Sequence, residues 1–186
     1  MRLRRVLPRV TPASVNLQST DFELFQVPQQ FAQDRATLDA HWKDLQRQAH
    51  PDKFAAQGAA AQRIAMQWSV RINEAYQRLK DPLKRAAYLC ELQGAPINAE
   101  NNTAMPAVFL VQQIELREAL DDAKTLENID EISLQANENR RKQLSEVERL
   151  LDVKKDYPAA AQAVRALMFL ERLGLDIEAR AELLGQ

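Results

Sequence analysis

Two apolar stripes at helical spacing, set on either side of a single His-Pro step, constrain this chain more than any other feature. Leu38, Trp42, Leu45 and Ala49 form the first stripe, in a stretch opened by Asp34, a good N-cap. Ile64, Trp68, Ile72, Ala75 and Leu79 form the second, from Ala59 to Leu79. Each set lies on one side of a helix. Between them His50-Pro51 stops the first helix, because a residue preceding proline is pushed out of the α region. A loop through Gly58 then joins the two. Helices with so short a connection fold back antiparallel and bury their stripes against each other.

The flanking sequence extends this pattern. Phe22, Leu24, Phe25 and Val27 make a short apolar cluster that Pro28 ends, and Asp81-Pro82 opens a short helix carrying Leu83, Ala86, Ala87, Leu89 and Cys90 up to Gly94. Residues 95–105 are polar, contain proline and asparagine, and read as a linker. Three helical stretches follow, at about 106–124, 129–155 and 158–184, with Pro158 at a helix start. Composition agrees: 28 Ala and 24 Leu stand against 17 Val plus Ile and only 4 Gly. Ala and Leu lose little on entering a helix, so the expected fold class is all-α. The expected layout is a basic extension over 1–20, a helical hairpin domain over 21–94, the linker, and a three-helix bundle over 106–186. Residues 1–20 carry four Arg and no acid, but Pro8 and Pro12 interrupt any amphipathic helix, so a disordered extension is preferred to an organelle presequence.

Several function classes fall away. One cysteine, Cys90, permits no internal disulfide and no Cys-based zinc ribbon; it reads as a small core residue. No apolar run approaches the about 20 residues that span a bilayer, so no membrane association is expected. His41 and His50 are too far from Cys90 to suggest a metal site, and without a Gly-rich phosphate loop no nucleotide or other cofactor is expected. Trp42 and Trp68 lie on the stripes and read as packing residues, His41 as a surface or partner residue. The net charge of −1 conceals an asymmetry: residues 1–95 carry 14 Lys/Arg against 9 Asp/Glu, and residues 96–186 carry 11 against 17. Two solvated surfaces that merely differ would look the same, but halves of opposite sign suit different partners. A nucleic-acid binder is the weaker reading, since no sustained basic stretch occurs beyond residue 9.

The joint between the stripes carries the functional signal. His50-Pro51-Asp52-Lys53 ends one amphipathic helix shortly before another, with the Asp21–Pro28 segment ahead and Asp81-Pro82 behind. In that order and spacing the region resembles a J domain. The segment Phe109-Leu110-Val111-Gln112-Gln113-Ile114-Glu115-Leu116-Arg117-Glu118 resembles the start of the client-binding domain of the HscB family, and Arg85-Ala86-Ala87-Tyr88-Leu89 replaces the Tyr-Asp ending of ordinary J domains. Ala49 departs from the larger residue usual in that family, the first twenty residues have no counterpart in its bacterial form, and the paired CxxC motifs of some eukaryotic relatives are absent.

The resemblance implies a co-chaperone of the bacterial cytoplasm, with the mitochondrial matrix as the alternative. It would dock on an ATP-bound, HscA-like chaperone of the DnaK type and deliver an IscU-type iron–sulfur scaffold to it. A J-domain co-chaperone for another client is the second choice. Docking would use His50, Pro51, Asp52 and Lys53 with a positive strip of Arg35, Lys43 and Arg47. Catalysis would belong to the chaperone, because His50 and Asp52 have no positioned nucleophile beside them.

The first helix after the linker carries two stripes. Phe109, Leu116, Leu120 and Ala123 suit a bundle core; Leu110, Val111 and Ile114 fall almost opposite, among Glu115, Glu118, Asp121 and Asp122. An apolar stripe rimmed by acids is read as the scaffold surface, with Phe169 of the last helix added to it. Packing against the first domain or a second subunit is the alternative.

Overall fold

A computed structural model describes residues 16–98 and 105–185. The expectations for residues 1–15 and for 99–104 of the linker therefore lie outside the described residues. Contacts divide the chain into two compact units, residues 1–85 and 86–186. Every regular element among the described residues is helical.

In the first unit, α1 (Asp21–Phe25) opens with a capping box: Thr20 Oγ1 accepts from the Glu23 amide while the Glu23 carboxylate accepts from the Thr20 amide. α2 (Arg35–Ala49) is capped by Asp34, whose carboxylate accepts from the Thr37 amide and is held below its usual pKa chiefly by the Thr37 hydroxyl. Ahead of Pro51, His50 is extended and ends the helix. The expected loop is instead a 3-10 helix, Pro51–Gln57, pinned by buried Phe54. Gly58 at φ +93° turns the chain into α3 (Ala59–Lys80), a conformation that suits glycine.

The hairpin core is close to the stripes. Leu38, Leu45, Ala49, Trp68, Ile72, Ala75 and Leu79 are buried, and Ala49 is wholly enclosed, so a small side chain suffices there. Ile64 is an exception. It lies at the edge of the stripe and is 44% exposed, while Ala65 takes the buried position one residue on. Trp42 is half-buried, stacked on Tyr76 with ring centroids 4.8 Å apart, and its Nε1 donates to Asn73 Oδ1 at 2.9 Å. A charge is also buried: Asp21 pairs with Arg71 at 2.6 Å and Arg78 at 3.3 Å, fastening α1 to α3.

α4 (Pro82–Leu92) begins in the first unit and continues in the second. It ends at Gly94, φ +74°, where the Ala95 amide reaches back to the Cys90 carbonyl. Cys90 is buried, and burial pushes its thiol up to about 11. α5 (Ala107–Asp122), α6 (Leu126–Glu148) and α7 (Tyr157–Leu184) form the bundle around Leu116, Leu120, Ala123, Ile129, Ile132, Ala136, Leu173 and Ile177. A π-helical turn, Arg149–Lys154, extends α6. Early α7 is buried on nearly all sides, including Arg165, which donates to the Ile97 carbonyl at 2.7 Å.

Candidate functional site

The 3-10 segment presents its tip rigidly. Pro51 fixes φ at the first position, Phe54 anchors the middle and Gly58 sets the exit. The Lys53 amide donates to the His50 carbonyl at 3.1 Å, and the Asp52 amide points at His50 Nδ1 at 3.4 Å. His50 Nδ1 lies 3.6 Å from Asp52 Oδ2, yet the Asp52 side chain is 87% exposed. The carboxylate therefore stands in water at the end of a braced turn, free to accept hydrogen bonds from a partner.

The basic residues of α2 and of the 3-10 segment are not equivalent. Lys43 and Lys53 are exposed and form no ion pair among the described residues. Arg47 is exposed and paired with Asp44 one turn earlier. Arg35 is engaged within the hairpin: its Nε donates to Asp39 Oδ1 at 2.7 Å and its Nη2 to the Tyr76 hydroxyl at 3.2 Å. Tyr76 in turn donates to Asp39 Oδ1 at 2.7 Å. Those bonds, Tyr76 first and Arg35 second, hold the Asp39 carboxyl below the usual carboxylate range. His41 is half-buried rather than open on the surface: its Nδ1 is 2.6 Å from the Phe25 carbonyl and donates to it, tying α1 to α2.

A second surface lies on α5. Leu110, Val111 and Ile114 are 40%, 52% and 55% exposed, and Glu115, Glu118, Asp121 and Asp122 surround them in water. The opposite side is buried through Leu116, Leu120 and Ala123. Phe109 is only half-buried; it meets Phe169 of α7 edge-on, centroids 6.4 Å apart, on the side of α5 away from the stripe, and Phe169 is itself 38% exposed. Gln113, which the sequence does not mark as a core position, is buried between Phe109 and Leu116. Among the described residues no group of three His, Cys, Asp or Glu could hold a metal ion, and no helix is long and apolar enough to cross a membrane.

Other missed residues fasten the hairpin. Gln46 Nε2 donates to Asn73 Oδ1 at 2.7 Å and to the Ser69 carbonyl at 3.0 Å, and Ser69 Oγ donates back to Gln46 Oε1 at 2.8 Å. Ser69, Asn73 and Tyr76 stand at i, i+4 and i+7 on α3 beside the apolar stripe, a polar pattern that could have been found.

Comparison with known proteins agrees with this geometry. Residues 105–178 match the family described as the HSCB C-terminal oligomerisation domain. A co-chaperone protein HscB homolog from Burkholderia thailandensis is 50% identical over 171 residues, covering 90% of this chain and 97% of the relative. The structure of the chaperone HscB from Vibrio cholerae aligns with 33% identity and a TM-score of 0.77, over 89% of this chain and 99% of that one. The human co-chaperone HscB shares the fold, with 23% identity and a TM-score of 0.84, over 89% of this chain and 84% of that one. The first unit thus carries a J-domain hairpin and the second a helical bundle, and the chain belongs to the HscB co-chaperone family.

Proposed function

We propose that this chain stimulates the ATPase of an HscA-like, DnaK-type chaperone and delivers an IscU-type iron–sulfur scaffold to it in the bacterial cytoplasm. The J domain, 21–94, would dock through His50, Pro51, Asp52 and Lys53, with Lys43 and Arg47 along α2 and Arg35 at its far end. The client domain, 106–186, would hold the scaffold on Leu110, Val111 and Ile114, with Glu115, Glu118 and Asp122 as an acidic rim and Phe169 as the contribution of α7. One observation carries the reading: the Asp52 carboxylate is 87% exposed on a turn braced by Pro51 and Phe54.

A docked protein can accelerate hydrolysis only by binding the hydrolysis-competent chaperone better than the resting one. A carboxylate carried on a braced turn suits that task, because the backbone beneath it loses little freedom on engaging donors that only one chaperone state presents. The α5 stripe supports the scaffold half. With each of the three side chains already about half covered, burying the rest stabilises a complex by about 1 kcal/mol each before association costs, while the acids select a basic surface.

The deciding assay is the steady-state ATPase rate of an HscA-like chaperone, alone, with this protein, and with this protein plus an IscU-type scaffold. The expected order is a rise with the protein and a further, synergistic rise with both. An unchanged rate with the protein would contradict the J-domain role, and simple additivity would contradict delivery.

A further inference from the structure

Asp39 has two possible cationic partners on α2, Arg35 one turn before it and Lys43 one turn after. A helix by itself favours the second, because acid followed by base at i, i+4 is the better order. The structure has the reverse. Asp39 Oδ1 takes Arg35 Nε at 2.7 Å, and Lys43 is left without an ion pair among the described residues. The reason stands on α3. Tyr76 donates to the same oxygen at 2.7 Å and accepts from Arg35 Nη2 at 3.2 Å, closing a three-membered ring of hydrogen bonds. Its own position is fixed: it is 8% exposed, stacked on Trp42 and Phe25, with Lys80 Nζ 5.1 Å from its ring centroid. No other acid can neutralise Lys43 within a turn on its own face, since the neighbouring Asp44 goes to Arg47 and the residue at i+4 is Arg47 itself.

We infer that Tyr76, through Arg35, holds Asp39 away from Lys43 and thereby sets the free positive charge that α2 offers to the chaperone. Tyr76 is then a positioning residue and Arg35 an internal neutraliser of Asp39 as much as a contact. This inference rests on the docking function proposed above. Lys43 stands one turn on from Asp39, at the i, i+4 spacing where helix side chains pair, so it can take up the carboxylate once the ring is opened.

The test is Tyr76→Phe, which removes the hydroxyl and keeps the stacked ring. Association with an ATP-bound DnaK-type chaperone should slow by about two- to fivefold at low salt, and the difference should vanish near 500 mM, where the Debye length is only about 4 Å. Adding Asp39→Asn should restore the rate, because no acid remains to cover Lys43. The Asp39 carboxyl, followed by NMR, should titrate nearer its ordinary value in Tyr76→Phe. An unchanged association rate would overturn the inference. So would a slowing that persists in the Tyr76→Phe/Asp39→Asn double variant or at high salt, since a loss of hairpin packing would behave that way. Asp52→Asn is the control on the parent reading: if it docks normally, the docking reading itself has failed and this inference falls with it, whatever Tyr76 does.

Discussion

The α2–α3 hairpin and helix α5 both offer side chains to partners, but they hold those side chains by different means. In the hairpin, Trp42 and Gln46 are bonded across to Ser69 and Asn73, and Asp39 to Tyr76, so the two helices are fixed at several points along their length. Helix α5 is held mainly through its second half, where Leu116, Leu120 and Ala123 enter the core and Arg117 pairs with Asp176 at 2.9 Å. Its first half has the Phe109–Phe169 contact beneath and an apolar stripe in water above. The difference follows from what each surface presents. Charge-assisted hydrogen bonds are directional and need a fixed frame. An apolar patch attracts in proportion to area and needs none.

The contrast is sharpest within α5 itself. Leu116→Ala empties a core position and should cost about 2–5 kcal/mol of stability. The triple change of Leu110, Val111 and Ile114 to Ala removes exposed side chains and should shift stability by no more than about 0.5 kcal/mol at each position. It should nonetheless weaken scaffold binding by about 100-fold or more, since each 1.4 kcal/mol is tenfold. Thermal unfolding and scaffold titration on the same proteins check both halves. A triple variant as unstable as Leu116→Ala would turn the stripe into internal packing.

The hairpin unit breaks differently. Asp21→Asn leaves Arg71 and Arg78 facing a neutral amide in a buried site and should destabilise by about 3 kcal/mol in urea unfolding. A loss below about 1 kcal/mol would mean that the carboxylate is not what fastens α1 to α3.

Cys90 reports on the other unit. Its thiol is raised from 9.0 to about 11 by burial, so the folded state favours the neutral form. That contribution is complete below about pH 9 and lost as pH rises toward 11. Stability of the C-terminal unit should fall over that window, and a thiol reagent at pH 8 should react only as fast as the protein opens. Rapid stoichiometric labelling of native protein would contradict the burial. The smallest effect belongs to Asp39. Its carboxyl is lowered by Tyr76 and Arg35, so its contribution is present above the ordinary carboxylate range and fades as pH falls through the lowered value. Asp39→Asn should flatten that shallow acid limb in pH-dependent unfolding; a limb of unchanged steepness would show that other carboxylates make it.

The architecture was largely legible because periodicity and punctuation coincided. Asp34, the His50-Pro51 step, Gly58, Asp81-Pro82 and Gly94 all mark helix ends. What escaped was polar and cross-helix. Asp21 is marked in the sequence only as the start of an apolar cluster, although Arg71 and Arg78 stand seven residues apart on α3 to meet it. The 3-10 segment is hidden because seven residues opened by a proline show no clear period, and its anchor Phe54 has no stripe around it. Arg35 fitted a positive strip by spacing alone; only the hairpin closure brings Tyr76, far along the sequence, to its guanidinium. Spacing reports which face a residue takes, not which partner reaches it from another helix.

On the proposed function, a point charge on one unit and an apolar patch on the other act separably, the first on the chaperone and the second on its scaffold client. The most direct measurement is the ATPase rate of an HscA-like chaperone with each of two folded variants, Asp52→Asn and the Leu110/Val111/Ile114 triple Ala, with and without scaffold. Asp52→Asn should abolish stimulation in both conditions, whereas the triple variant should keep the scaffold-independent stimulation and lose the synergy. Full stimulation by Asp52→Asn, or wild-type synergy from the triple variant, would contradict that separation.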